Sequence, residues 1–263
     1  MDIKIIVAAH KPYRIPEDSV YLPVHVGKAL NPVDLGFPGD NTGEHISGKN
    51  KNYCELTGLY WAWKNLEADA VGLAHYRRHF TVKGIPGYKL NGKWESVLTG
   101  RQAEALLARA PVILPNKRRY FIETGESHYA HAHQGEALDM TRSIIRETAP
   151  EYADSFEDVM KRTWAHMFNM FIMRKDILDA YCEWLFGILF LLEERLDISG
   201  YSANDARVFG YISEMLLDVW LKKNGHPTAE IHAMFMEKQD WIGKSRGFLY
   251  RKLFAKRRRP RGV

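Results

Sequence analysis

Two clusters of side chains in this sequence have the types and positions to grip an anion. His10-Lys11 follows the apolar run IKIIVAA (residues 3–9), and His75-Tyr76-Arg77-Arg78 follows the shorter run AVGLA (70–74). Groups set directly behind buried strands stand where loops leave a sheet, which is where open α/β folds bind ligands. Arginine presents a planar fork of donors that matches phosphate oxygens, so the expected ligand carries phosphate. Alternation along an extended chain sends His75 and Arg77 to one side and Tyr76 and Arg78 to the other. The competing reading is a solvated face, or pairing with acids such as Glu67 and Asp69.

The elements that must position these groups follow from periodicity. Residues 3–9 form a continuous apolar, β-branched run, which predicts a central parallel strand buried on both faces. A short strand is expected at 21–26. Residues 27–52 are rich in Gly, Pro, Asn and Asp with no period, so they read as a long loop, and a loop of that length points to function. Apolar residues at Tyr53, Leu56, Tyr60 and Trp63 predict a helix over 53–65, with Glu55 in its first turn and Lys64 in its last, matching the helix dipole. Tyr60, Trp61 and Trp63 could stack on a base or sugar, but aromatics at helical spacing first read as core.

Further along, helices are expected over 101–109, 134–148 and 152–163, with strands at 111–115 and 166–173. Long helices follow at 176–195 and 205–223. In the second of these, Val208, Tyr211, Ile212, Met215, Leu216 and Val219 form the stripe facing the core. With no internal repeat and no clear boundary, the alternation predicts one α/β domain over 1–243 with extra helices in the second half.

Composition narrows the function classes. A chain of 263 residues, 46% hydrophobic and 26% charged, is an ordinary globular protein and not a disordered or collagen-like one. The longest strictly apolar run, 184–192, is about half of the roughly 20 residues that cross a bilayer. The N-terminus lacks the basic region and cleavage site of a secretory signal, so a cytoplasmic location is expected. Cys54 and Cys182 are too few for a disulfide framework or a cysteine zinc site and read as small buried hydrophobes. The formal net charge is +5, but nine Lys and Arg and no acid fall in 244–263, which leaves residues 1–243 at −4. Phe248, Leu249, Leu253 and Phe254 among those cations fit a short amphipathic helix on an anionic membrane surface. The acidic body argues against a broad nucleic-acid footprint.

The string GDNTGEHISGKNKNYCELTGLYWAWKN (39–65), followed by VGLAHYRRHF (71–80), resembles a bacterial family of formerly uncharacterised proteins encoded in capsular and exopolysaccharide gene clusters. VAAHKPY, YLPVHVGKAL, NMFIMRKD, YCEWLFGIL and RVFGYISEMLL match further blocks in family order, so the likeness covers most of 3–221. One departure is Glu44-His45, where the family pattern has an Asp-Asn pair. The resemblance implies a GT-A-like, Rossmann-like domain with a mostly parallel central sheet. It implies a glycosyltransferase that moves a sugar from a UDP-sugar, in some members galactofuranose, to a lipid-linked oligosaccharide in capsule or exopolysaccharide synthesis. Such an enzyme would sit on the inner face of the cytoplasmic membrane. Carried over residue by residue, the donor site comprises His10, Lys11, Asp40, Ser47, Asn50, His75, Arg77 and Arg78. Ser47 and Asn50 also read as caps for the helix near Tyr53.

GT-A-type enzymes usually hold a divalent ion on the diphosphate with an Asp-x-Asp after a strand. This sequence has none, since Glu67-Ala68-Asp69 precedes its strand, so the expectation is charge supplied by His75, Arg77 and Arg78, with no cofactor. Inverting transfer needs a carboxylate to take the acceptor proton. Arg207, Gly210 and Glu214 fall at i, i+3 and i+7, and the missing side chain at Gly210 would leave room for a substrate. Glu214 is the first candidate base, Asp205 the second and Asp40 the third; Glu214 also reads as a solvated residue beside Asp218. Arg207, Asn169 and His131 are candidate acceptor contacts, Asn169 reading equally as a satisfied core amide. His131, with His128 and His133, reads as part of a polar loop or a substrate contact in preference to a metal site. A nucleotidyl- or phosphotransferase, or a non-catalytic nucleotide-sugar or RNA binder, are the alternatives on the same cations.

Overall fold

At the centre of the fold β1 (Ile3–Ala9) lies between β2 (Tyr21–His25) and β3 (Ala70–His75), both parallel to it. The chain is described by a computed structural model over residues 1–83, 92–120 and 123–237. All but one of the seven residues of β1 are buried, as the continuous apolar run requires for a strand covered on both faces. The register places Ala9 opposite His25 and Ala8 opposite His75, so the three strands end on one edge. That edge carries the site.

The rest of the sheet is mixed, which corrects the mostly parallel arrangement. Tyr76 and Arg77 form a two-residue turn into β4 (Arg78–Thr81), antiparallel to β3, because a parallel neighbour needs a crossover of a dozen residues or more. β5 (Val112–Pro115) is followed by the short β6 (Arg118–Arg119), which pairs with β7 (Trp164–Ala165). The long excursion from β5 therefore returns to the edge it left, and β8 (Phe171–Arg174) descends antiparallel to both β3 and β5. β9 (Thr228–Phe235) runs parallel to β5 and antiparallel to β4. The order is β2-β1-β3-β4-β9-β5-β8, with β8 also reaching back to β3.

On one face lie α1 (Asn50–Tyr53) and α2 (Leu56–Asn65), joined later in the chain by α5 (Gly135–Thr148), α6 (Ala153–Met160), α7 (Lys175–Arg195) and α8 (Val208–Asn224). α3 (Gly100–Leu107) covers the opposite face. α4 (Gly125–Ala132) stands beside the strand ends. Tyr60 and Trp61 are buried in the larger core, as their spacing predicts. Full burial of side chains such as Phe186 and Leu189 stabilises by roughly 1.5–3 kcal/mol each. No helix among the described residues is long and apolar enough to cross a membrane.

Three expectations fail at the site. The single helix over 53–65 is broken at Cys54, whose φ of 53° and ψ of −129° no helix tolerates. The strand over 166–173 shrinks to 171–174, because Phe168 and Asn169 take positive φ. The segment around HYAHAH is not a loop but α4, capped by Thr124 and Ser127 bonding each other's backbone. The basic tail 244–263 lies outside the described residues.

Candidate active site

The ends of β1 and β3 open into a cavity of about 610 Å³. Ala8 lies near the end of β1 and His10 follows it, Val26 follows β2, Tyr76 and Arg77 form the β3–β4 turn and Arg78 opens β4; together they make one wall. The facing wall is aromatic and comes from the excursion after β5 and from α8: Tyr120, Tyr129, His133, Trp164 and Tyr211. Glu55 and Glu214 are the acids that line the cavity among the described residues.

Cys54, Phe168 and Asn169 are the non-glycine residues with positive φ among those described, and all three belong to this region. Such conformations cost about 1–3 kcal/mol each and persist only where the surroundings enforce them. The break at Cys54 sets Glu55 on the cavity wall. There Asn169, 2% exposed, donates from Nδ2 to Glu55 Oε1 at 2.8 Å and to the Gly210 carbonyl at 3.0 Å. Ser213 Oγ donates to Asn169 Oδ1 at 2.9 Å, so the amide is occupied at both ends. Asn169 is therefore a buried clip behind the cavity wall, and of its two readings the hydrogen bonds match the satisfied amide. Gly210 is also reassigned. A Cβ there would meet Cys54 Sγ at 3.3 Å, so the glycine admits the strained Cys54 turn and not a substrate.

Glu214 faces the cavity from α8. Burial first, and the neighbouring Glu55 second, raise its pKa to about 7, against a hydrogen bond from the Phe168 backbone and the attraction of Arg78. A carboxyl poised at that value can take or give a proton at neutral pH. Asp218, one turn further on, is no solvated neighbour. It is 2% exposed, accepts the His166 backbone N–H at 2.9 Å and pairs with His166 Nδ1 at 2.5 Å, which ties the 164–168 segment to α8.

The cationic cluster divides into unlike members. His75 Nε2 donates to the Phe168 carbonyl at 2.6 Å and lies 3.8 Å from Glu55. Burial lowers its pKa ahead of the opposing pull of Glu55, so it is a neutral donor and not the expected cation. Arg78 sits over the rings of Phe168 and Phe235 at 4.3 and 4.9 Å, its buried Nε has no hydrogen-bond partner, and it has no ion pair among the described residues. Arg77 pairs with Glu237 at 3.4 Å, an exposed contact worth about 0–1 kcal/mol and easily exchanged. His10 lines the cavity with its pKa lowered by burial and then by Lys11. Arg207, exposed at the rim, donates from Nε to Cys54 Sγ at 3.1 Å.

Other candidates fall elsewhere. Asp40 is fully buried and accepts the backbone N–H groups of Gly27 and Lys28 at 2.9 and 3.1 Å and the Ser47 hydroxyl. Ser47 in turn accepts the Ala29 N–H at 3.0 Å. The pair locks the 27–49 loop and does not reach the cavity. Asn50 does line it, while its amide donates to the Cys54 carbonyl at 2.7 Å and to Thr57 Oγ1 at 3.0 Å. Lys11 is not among the lining residues; its ammonium lies over the ring of Tyr76, which is, at 5.4 Å. Asp205 exchanges hydrogen bonds with Ser202 in a turn outside the cavity, so α8 places Glu214 there and not Asp205. His131 is exposed and bound to Glu123, whereas its neighbours His128 and His133 line the cavity.

Sequence reasoning missed Glu55, which periodicity assigned to a first helical turn, and Tyr211 and Met215, which it assigned to the core. A signal for the last two was available: they share with Glu214 and Arg207 one side of α8 at spacings of three, four and seven to eight residues. Among the described residues no group of three or more His, Cys, Asp or Glu converges, and Glu55 already accepts from Asn169.

The family model described as domain of unknown function DUF4422 matches residues 4–225. Among solved structures, the apo structure of the bifunctional glycosyltransferase WbbM superimposes with a TM-score of 0.84 and 30% identity over 90% of this chain. The chain covers 46% of that protein, about half of its length. No curated protein matches the sequence.

Proposed function

We propose that this chain, which belongs to the DUF4422 family, is a glycosyltransferase that uses a UDP-sugar, with galactofuranose as the first donor to try. The acceptor in this reading is a lipid-linked oligosaccharide of capsule or exopolysaccharide synthesis. Similarity to part of a bifunctional glycosyltransferase supports the reaction class. The observation that carries the reading is Glu214, a carboxyl with a pKa near 7, in the same cavity as Arg78, whose guanidinium makes no ion pair among the described residues.

In this mechanism the diphosphate lies against Arg78 and Arg77 at the β3–β4 turn, where a planar fork meets phosphate oxygens. The acceptor hydroxyl oxygen attacks the anomeric carbon and its proton passes to the Glu214 carboxylate. The bond from the anomeric carbon to the phosphate oxygen breaks, its electrons leave with UDP, and the guanidinium groups offset the added charge. A single displacement of this kind inverts the anomeric centre. His75 stays neutral and orients the Phe168 turn.

Incubating the full chain with UDP-galactofuranose and a synthetic lipid-linked acceptor tests this directly, with and without excess EDTA. Product formed in both conditions is expected. Strict dependence on Mn²⁺ or Mg²⁺ would remove the cationic grip on the diphosphate. The basic tail 244–263 is proposed to hold the enzyme to an anionic membrane surface; its removal should release the protein from anionic liposomes at moderate salt.

A further inference from the structure

The aromatic wall has no part in the chemistry above, and its composition is unlike that of the cationic wall. The rings of His133 and Tyr211 stack at 3.9 Å and 25°, and Trp164 lines the same cavity. Tyr129 is 4% exposed; its hydroxyl, and Nδ1 of His133, are buried with no hydrogen-bond partner among the described residues. Buried polar groups are nearly always paired, so each of these calls for a partner that the described residues do not supply. Flat apolar ring faces beside unspent hydrogen-bonding groups match a sugar ring, which carries C–H bonds on its faces and hydroxyls at its edge.

Helix geometry says which sugar. Tyr211 precedes Glu214 by three residues, so both project from one side of α8. A ring lying on Tyr211 brings its hydroxyls toward the carboxylate that must accept a proton. The donor diphosphate is assigned to the opposite wall, at the ends of β1 and β3. We propose that Tyr211, backed by His133, forms the platform for the acceptor sugar, a hexopyranose seated on the Tyr211 face that His133 leaves free, displacing the exposed Arg207 guanidinium that lies over this ring at 5.4 Å, with its hydroxyls toward Tyr129 and Glu214. This inference rests on the transferase reading above and adds the place and chemical class of the acceptor.

Saturation-transfer NMR with the full chain, methyl hexopyranosides of the gluco, galacto and manno series, and UDP tests it without any turnover. At least one glycoside should receive saturation on its ring C–H protons. Tyr211→Phe keeps the ring and should keep that signal, whereas Tyr211→Ala should weaken binding roughly tenfold, the effect of about 1.4 kcal/mol of lost stacking. A glycoside signal absent from the wild type, or undiminished in Tyr211→Ala, would overturn the proposal. Loss of the uracil signals of UDP in Tyr211→Ala would also overturn it, by assigning the wall to the donor base. Failure of UDP to bind the wild type while a glycoside does would strike the transferase reading and leave the sugar platform standing.

Discussion

Asn169 and Glu55, separated by 114 residues in sequence, meet at 2.8 Å through a buried amide that also holds the Gly210 carbonyl of α8. One side chain thus couples the strained Cys54 turn, the Phe168-Asn169 turn and the helix that carries Glu214. Two variants separate its contributions. Asn169→Ala removes the clip and places a Cβ-bearing residue without a compensating side chain at φ 51°, so a loss of about 2 kcal/mol is expected. In a chain of this size that lowers the Tm by roughly 4–8 °C. Asn169→Gly loses the same hydrogen bonds but tolerates the backbone, so its melting temperature should lie above that of Asn169→Ala. Equal values for the two would show that the backbone at Asn169 is not strained.

The pH dependence of transfer follows from Glu214. It must be ionised to accept a proton, and its pKa is about 7, so kcat/KM should rise through neutral pH and level off above it. Glu55→Gln removes one of the two causes that raise that value, leaving burial, so the acid limb should move to lower pH. A limb that stays in place or moves upward would separate Glu55 from the base.

The same group links pH to stability. Its folded pKa lies above the ordinary value of 4.5, so between about 4.5 and 7 the folded state holds a proton that the unfolded state has released. Stability should therefore decline as pH rises across that window. Glu214→Gln carries no such charge and should melt above the wild type at pH 8, with the difference vanishing below pH 4.5. A variant that melts below the wild type at pH 8 would contradict the burial of an ionised carboxylate there.

Arg78 should dominate diphosphate affinity, since unlike Arg77 it makes no contact ion pair among the described residues. Arg78→Ala should weaken UDP binding by about 10- to 100-fold in calorimetry, the range for a lost charge-assisted contact. Arg78→Lys should recover only part, because an ammonium cannot present two parallel donors. Unchanged affinity in Arg78→Ala would place the diphosphate elsewhere.

Much of this fold is legible in the sequence, and the site is legible only in part. The apolar run 3–9 and the period of 176–195 specify β1 and α7, because burial on both faces and a helical stripe leave direct patterns. Arg78 stands out as a cation behind a strand, and Glu214 as an acid on a helix. Direction in the sheet was not readable, since it depends on where the excursion after β5 returns and not on the strands' own residues. His75 stands out by its place behind a strand and Asp40 by the family resemblance, but one is spent on the Phe168 carbonyl and the other on Gly27 and Lys28. Glu55 was hidden by a helical period that Cys54 interrupts, a break no residue in the 53–65 pattern announces.

The base assignment is tested most directly by mass spectrometry of the acceptor after incubation of wild type and Glu214→Gln with UDP-galactofuranose. The wild type should add one sugar, and Glu214→Gln should fall by roughly 100-fold or more while still binding UDP. Equal product from the two proteins would contradict the assignment of Glu214 as the base.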